Sequence, residues 1–279
     1  MTDRSRLYIS ADLEGAATVV SPDDLARGGF GFDDARSQLT REVNAAIRGA
    51  LAVDDGLQIV VSDAHGTYRN IDPLELDDRA RLLQGKPRPL AMMSGVRAGD
   101  GVMLIGYHAR AGMGGVLSHT IDDAVRDVQC NGSSFGEAGL SALLATEVGA
   151  SILLASGDDS LAAELAALAP GLPVVQTKET VSAGAAVSEH PLRVCAAIEE
   201  ASKQAVEAWS GEHVQVQVQG SSRREVHLEV EFGHPIHADR AELPPPVTRL
   251  DPMTVTVTCG SVTEAYRWVR TLIMLATGS

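Results

Sequence analysis

The 279-residue chain reads as an α/β protein, with a doubly wound, mostly parallel sheet and a second, smaller α+β domain. Three observations predict this. Short apolar runs alternate with helical patterns through the first two-thirds, as happens where strands pair in parallel and helices cover both faces. Gly56, and later Pro170 and Gly171, stand where helical patterns stop. Near residue 190 the texture changes to well-separated strands and two long helices.

Leu7 to Ala11, Leu57 to Val61 and Val102 to Ile105 are the clearest strands. Between the first two, Phe32 to Ala52 carries apolar residues at helical spacing, and Gly56 is placed to stop the helix, so the region reads as a β-α-β unit. Ala138 to Thr146 reads as a helix, Ser151 to Ala155 as a strand, and Ser160 to Leu168 as a helix ending before Pro170 and Gly171. There follow a helix at Pro191 to Ala208, a strand at Glu225 to Glu231, a Pro-rich turn at Pro244 to Pro246, a strand at Thr254 to Thr258 and a closing helix at Thr263 to Ala276. The expected division is residues 1–190 for the α/β domain and 191–279 for the α+β domain.

Hydrophobic residues make up 44% of the chain and charged residues 22%, which is the balance of a globular enzyme. With 37 acidic side chains against 23 basic ones, the field repels phosphate backbones and anionic lipid, so no nucleic-acid or membrane partner is expected. No apolar run approaches the ~20 residues that span a bilayer, and Met1 leads through charged residues straight into a strand-like segment, so a cytoplasmic location is expected. Cys130, Cys195 and Cys259 suit neither a disulfide framework nor a Cys-based zinc site.

Chemistry enters where strands end. Asp12 and Glu14 follow the first strand, His65 the second and His108 the third. Carboxyl ends of neighbouring parallel strands converge on one crevice, so these four side chains can share a site. Residues two apart in extended chain point the same way, which sets Asp12 beside Glu14. Two adjacent carboxylates repel, a cation relieves them, and carboxylate with imidazole is a ligand set for zinc, manganese or cobalt. Taken singly, an Asp-x-Glu after a strand is a cap or a solvated loop, and a lone His is a hydrogen-bonded core residue. Glu137, in Ser134-Phe135-Gly136-Glu137 ahead of a helix, fits a capping box as well as it fits a ligand. His119, after the turn at Gly114-Gly115, fits a proton carrier or an exposed loop residue.

Five blocks in order carry a resemblance over essentially the whole chain. They are Ser10-Ala11-Asp12-Leu13-Glu14-Gly15, Ser62-Asp63-Ala64-His65, Gly106-Tyr107-His108-Ala109-Arg110, Gly115-Val116-Leu117-Ser118-His119 and Gly136-Glu137-Ala138-Gly139-Leu140. The chain resembles the D-aminopeptidase family of bacterial dinuclear zinc metallopeptidases, whose founding member was first labelled a dipeptide transport protein. The resemblance implies a Rossmann-like domain joined to a smaller α+β domain, and two Zn2+ per subunit, with Mn2+ or Co2+ as substitutes. It implies Asp12, Glu14, His65, His108 and Glu137 as ligands, Asp12 as the bridge, and His119 as the catalytic histidine, with acid/base and nucleophilic roles both open. It further implies release of the N-terminal residue of short peptides, D-Ala-type peptides first, by a homo-oligomer built as a homodecameric ring.

The turn after Gly15 departs from the family pattern, which leaves D- against L-specificity open, and Gly233-His234-Pro235-Ile236-His237 has no counterpart, reading as a surface turn around Pro235. Arg110, Asn70 and Lys178 are candidates for substrate contacts, with structural roles equally open. A dinuclear phosphoesterase lacks its Gly-Asn-His-Asp block here. A non-catalytic peptide-binding or transport accessory protein has no use for two metals and a free histidine.

Overall fold

In the computed structural model, residues 5–211, 216–220 and 225–278 are described. Met1 to Arg4, on which the reading of the N-terminus rests, lie outside the described residues. The first half of the chain forms β1 (Arg6–Ala11), α1 (Phe32–Val53), β2 (Gln58–Asp63), β3 (Ala80–Leu83), β4 (Gly101–Ile105), β5 (Val125–Cys130), β6 (Ser133–Ser134) and α2 (Glu137–Val148). The second half forms β7 (Ser151–Asp158), α3 (Asp159–Leu168), β8 (Val174–Ser182), β9 (Ala185–Ser188), α4 (Pro191–Gly211), β10 (Val226–Phe232), α5 (Pro235–Ala241), β11 (Thr248–Arg249), β12 (Thr254–Cys259) and α6 (Val262–Thr277).

One sheet runs β3-β2-β1-β4-β7-β8-β9, parallel except for its last pair, and the other runs β11-β12-β10-β5-β6, antiparallel. The central strands are apolar on both sides because both sides are covered. Leu7, Ile9, Met103 and Ile105 face one core with Leu39, Val43 and Ile47 of α1 and Ile198 and Val206 of α4. Tyr8, Val102 and Leu104 face the other, which they share with Leu228 and Val230 of β10, Val257 of β12 and Leu272 of α6. Helix α2 lies in that shared core, which explains why it is apolar all round, with residues Glu137 to Ala145 buried. Sheet membership does not follow chain order: β5 and β6 precede residue 190 yet belong to the antiparallel sheet, and α4, after it, packs on α1.

The segment at Pro235 is not a surface turn. It is helix α5, with Pro235 at its start, where a missing N–H costs nothing, and with the His234 ring accepting from Ile236 N. Among the described residues no helix is long and apolar enough to cross a membrane.

Strand register aligns the chemistry. Ala11 pairs with Asp63 on one side and Ile105 on the other, so β1, β2 and β4 end at one level. Pairing continues past the strand ends, with Asp12 N donating to Ile105 O at 2.8 Å and Gly15 N to Gly106 O at 2.8 Å. Here the motif glycines have a definite cause. A Cβ on Gly15 would lie 1.7 Å from Tyr107 O, and Gly106 has a φ of +72°, with its added Cβ 2.2 Å from Asp12 O.

Candidate metal centre

Asp12 and Glu14 leave β1, His65 follows β2 by two residues, His108 follows β4, and Glu137 opens α2. All five converge, and His119 joins them. Donor atoms of Asp12, Glu14 and His65 lie within 4.8 Å of one another, as do those of Asp12, His108 and Glu137, and those of Glu14, His108 and His119. Asp12 belongs to the first two groups, so its carboxylate stands between the others.

Each imidazole gives one N–H to a backbone carbonyl and turns its other nitrogen inward. His65 Nε2 donates to Leu25 O at 2.9 Å, leaving Nδ1 at 2.9 Å from Glu14 Oε1 and 3.5 Å from Asp12 Oδ1. His108 Nδ1 donates to Ala109 O at 3.0 Å, leaving Nε2 at 3.5 Å from Glu137 Oε1 and 3.7 Å from Asp12 Oδ2. His119 Nδ1 donates to Leu117 O at 2.9 Å, leaving Nε2 at 3.8 Å from Glu137 Oε1 and 3.9 Å from Glu14 Oε1. A carbonyl partner fixes the tautomer and aims the lone pair of the opposite nitrogen, as ligating histidines require. His108 and His119 are also stacked face to face, with centroids 4.2 Å apart and an interplanar angle of 4°.

Electrostatics show the strain that a cation relieves. Burial, then the charges of Glu14 and Glu137, push the Asp12 carboxyl up to about 7. Burial works against charge on His65, but Glu14 and Asp12 outweigh it and hold the imidazole well above its ordinary range. His108 Nε2 is buried and makes no hydrogen bond, standing in ion-pair contact with Glu137 Oε1 at 3.5 Å and Asp12 Oδ2 at 3.7 Å. An orphaned imidazole nitrogen facing two carboxylate oxygens at that spacing fits a metal ion between them.

Surrounding side chains brace the ligands. Glu164 of α3 accepts from Arg110 N at 2.7 Å and Gly136 N at 3.1 Å, tying the segment after His108 to the residue before Glu137. Asp158 accepts from Val116 N at 2.8 Å and steadies the His119 loop, in which Leu117 has a φ of +53°. Asp63 accepts from Asn70 N, Asn70 Nδ2 and Ile71 N, closing the loop that carries His65.

The capping-box reading of Glu137 does not hold, because Gly136 is the N-cap without a side-chain bond, and the Glu137 carboxylate accepts from Ile121 N across the site. Of the three candidate substrate contacts, Asn70 is committed to Asp63 and to His65 O, and Lys178 to buried carbonyls. Arg110 donates to Ala111 O and keeps a quarter of its side chain exposed.

Comparison with known proteins gives a family and a fold. The family model described as D-aminopeptidase matches residues 5–271. The D-aminopeptidase of Bacillus subtilis strain 168 is 33% identical over 184 residues, which are 64% of this chain and 66% of that protein. Among solved structures, the zinc-dependent D-aminopeptidase DppA from Bacillus subtilis, described as a self-compartmentalizing protease, superposes with a TM-score of 0.92 at 27% identity, covering 98% of each chain.

Proposed function

The chain belongs to the D-aminopeptidase family of peptidases, and from that premise we propose that it is a dinuclear zinc aminopeptidase releasing the N-terminal residue of short peptides, D-Ala-type peptides first. Asp12, Glu14 and His65 would hold one ion, and Asp12, His108 and Glu137 the other. The observation that carries this reading is the convergence of the inward-facing His108 Nε2, which makes no hydrogen bond, with three buried carboxylates. Zinc bound there supplies Lewis-acid polarisation of a carbonyl and a nucleophilic water at neutral pH.

The chain's own residues supply the rest. Asp12 and Glu14 are each 2% exposed and His108 is 1% exposed, so their charges act in a dry site, where electrostatic effects are strongest. His119 stays 21% exposed, with Nδ1 committed to Leu117 O and Nε2 turned to the cluster, so it can carry a proton to the leaving amine. Its stacking on His108 limits ring rotation and keeps Nε2 aimed. The self-compartmentalizing description of DppA supports a homo-oligomer, and a homodecameric ring is the assembly proposed.

The test is metal analysis of the purified protein together with hydrolysis of matched D-Ala and L-Ala anilides and dipeptides. Zinc-dependent release with D-Ala substrates cleaved faster is expected. Faster cleavage of the L-series would replace the substrate assignment, and no cleavage of either would remove the peptidase reading.

A further inference from the structure

The turn from Leu13 to Val19 carries Glu14 into the site, and little of its own backbone holds it. Its internal bonds are Ala16 N to Leu13 O at 3.1 Å and Val19 N to Ala16 O at 3.3 Å, and Thr18 has a φ of +68°, a conformation that costs a β-branched residue strain. Thr18 Oγ1 donates to Ala17 O at 2.6 Å within the turn, and the carbonyls of Glu14, Gly15, Ala16 and Val19 are met from outside. Lys178 of β8, 1% exposed, sends its ammonium into the turn and donates to Glu14 O at 2.5 Å, Ala16 O at 3.0 Å and Val19 O at 2.5 Å. Thr177 beside it, fully buried, donates through Oγ1 to Gly15 O at 2.6 Å. From the opposite side, Glu42 of α1 accepts from Ala17 N at 2.9 Å.

Burying an ammonium is costly, and an apolar side chain of the same length fills such a space at lower cost. What lysine supplies is three N–H donors diverging from one atom, which meet three carbonyls that face inward together. The three hydrogen bonds of Lys178 go to backbone carbonyls. Its partner is the peptide group of Glu14, whose carboxylate stands 2.9 Å from His65 Nδ1.

We propose that Lys178, with Thr177 beside it, is the positioning residue for Glu14, holding the turn so that its carboxylate meets Asp12 and His65 at metal-binding distance. The inference rests on the metallopeptidase reading above and deepens it, adding a residue that lies 164 positions from the one it positions.

The experiment compares Lys178→Met, Thr177→Val and Leu272→Ala, the last in the core of the antiparallel sheet. For each, the melting temperature of the metal-free protein, the zinc affinity by competition with a chelator, and kcat and KM are measured. Lys178→Met is expected to lose about 10- to 100-fold in zinc affinity, the scale on which groups supporting metal ligands act. Leu272→Ala is expected to lower the melting temperature yet leave zinc affinity within about twofold of wild type, because it removes apolar volume from the core and no hydrogen bond of the site. A Lys178→Met protein that binds zinc within about twofold of wild type would reduce Lys178 to packing and overturn the proposal. If Lys178→Met does not fold, Thr177→Val carries the test, with about tenfold weaker zinc binding expected and unchanged binding contradicting it. A wild-type protein that takes up no zinc would overturn the metallopeptidase reading itself, and this inference with it.

Discussion

The two sides of the candidate centre are built differently. On the Glu14 side, His65 already makes a contact of 2.9 Å with a carboxylate, and its side chain is 12% exposed. On the Glu137 side, His108 is 1% exposed, its inward nitrogen has no hydrogen-bond partner, and the nearest carboxylate oxygens stand at 3.5 and 3.7 Å. The first side is a close ion pair that a metal ion must compete with, and the second is a looser set of donors spaced more widely apart. The supports differ as well. Lys178 and Thr177 hold the first through the carbonyls of a turn, and Glu164 holds the second through the amides of two segments. On both sides, the supports outside the ligand set bind the backbone of the segments that carry the ligands.

Asp12 belongs to both sides, so Asp12→Ala should break both at once. Zinc content should fall along with activity, the latter by more than about a thousandfold, since charge stabilisation is the largest single contribution in such chemistry. Zinc retained at the wild-type level would deny Asp12 its shared place. His119 belongs to neither ligand pair, so His119→Ala should lower kcat by about 100- to 10,000-fold, the usual contribution of a general acid or base, with zinc content and melting temperature unchanged. A fully active variant would remove His119 from the chemistry. Glu164→Gln replaces one acceptor by a donor facing a backbone N–H, so it should weaken zinc binding on the His108 side about 10- to 100-fold in a chelator competition. Equal loss on both sides would show that the halves are not separately braced. The smallest effect on the site belongs to Leu272→Ala, which should cost about 2–5 kcal/mol of stability in denaturant unfolding with zinc affinity untouched.

Much of this was legible in the sequence, for a physical reason. The central strands are covered on both faces and therefore appear as continuous apolar runs, and their shared end level follows from parallel pairing, so Asp12, Glu14, His65 and His108 could be brought together before any coordinates. Strand β8 is hard to read because Val174 to Ser182 mixes Gln, Lys and Glu into a half-buried strand, and β5 because Arg126 and Gln129 interrupt its apolar residues. The division expected at residue 190 could not anticipate that β5 and β6 join the antiparallel sheet, since strand pairing across that distance leaves no local pattern. The supports were least visible. Leu25 contributes only a carbonyl to His65, which any residue type at that position would offer, and Glu164 reaches an amide 54 positions away. In the sequence Lys178 reads as a candidate substrate contact or a structural residue, and its burial beneath the turn depends on the crossover that sets β8 beside β7.

The central claim is that Asp12, Glu14, His65, His108 and Glu137 together bind a pair of ions. Anomalous diffraction at the zinc absorption edge, from crystals of zinc-reconstituted protein, tests it most directly. Two peaks flanking the Asp12 carboxylate are predicted, one beside His65 Nδ1 and one beside His108 Nε2. A map with no peak among these residues would contradict it.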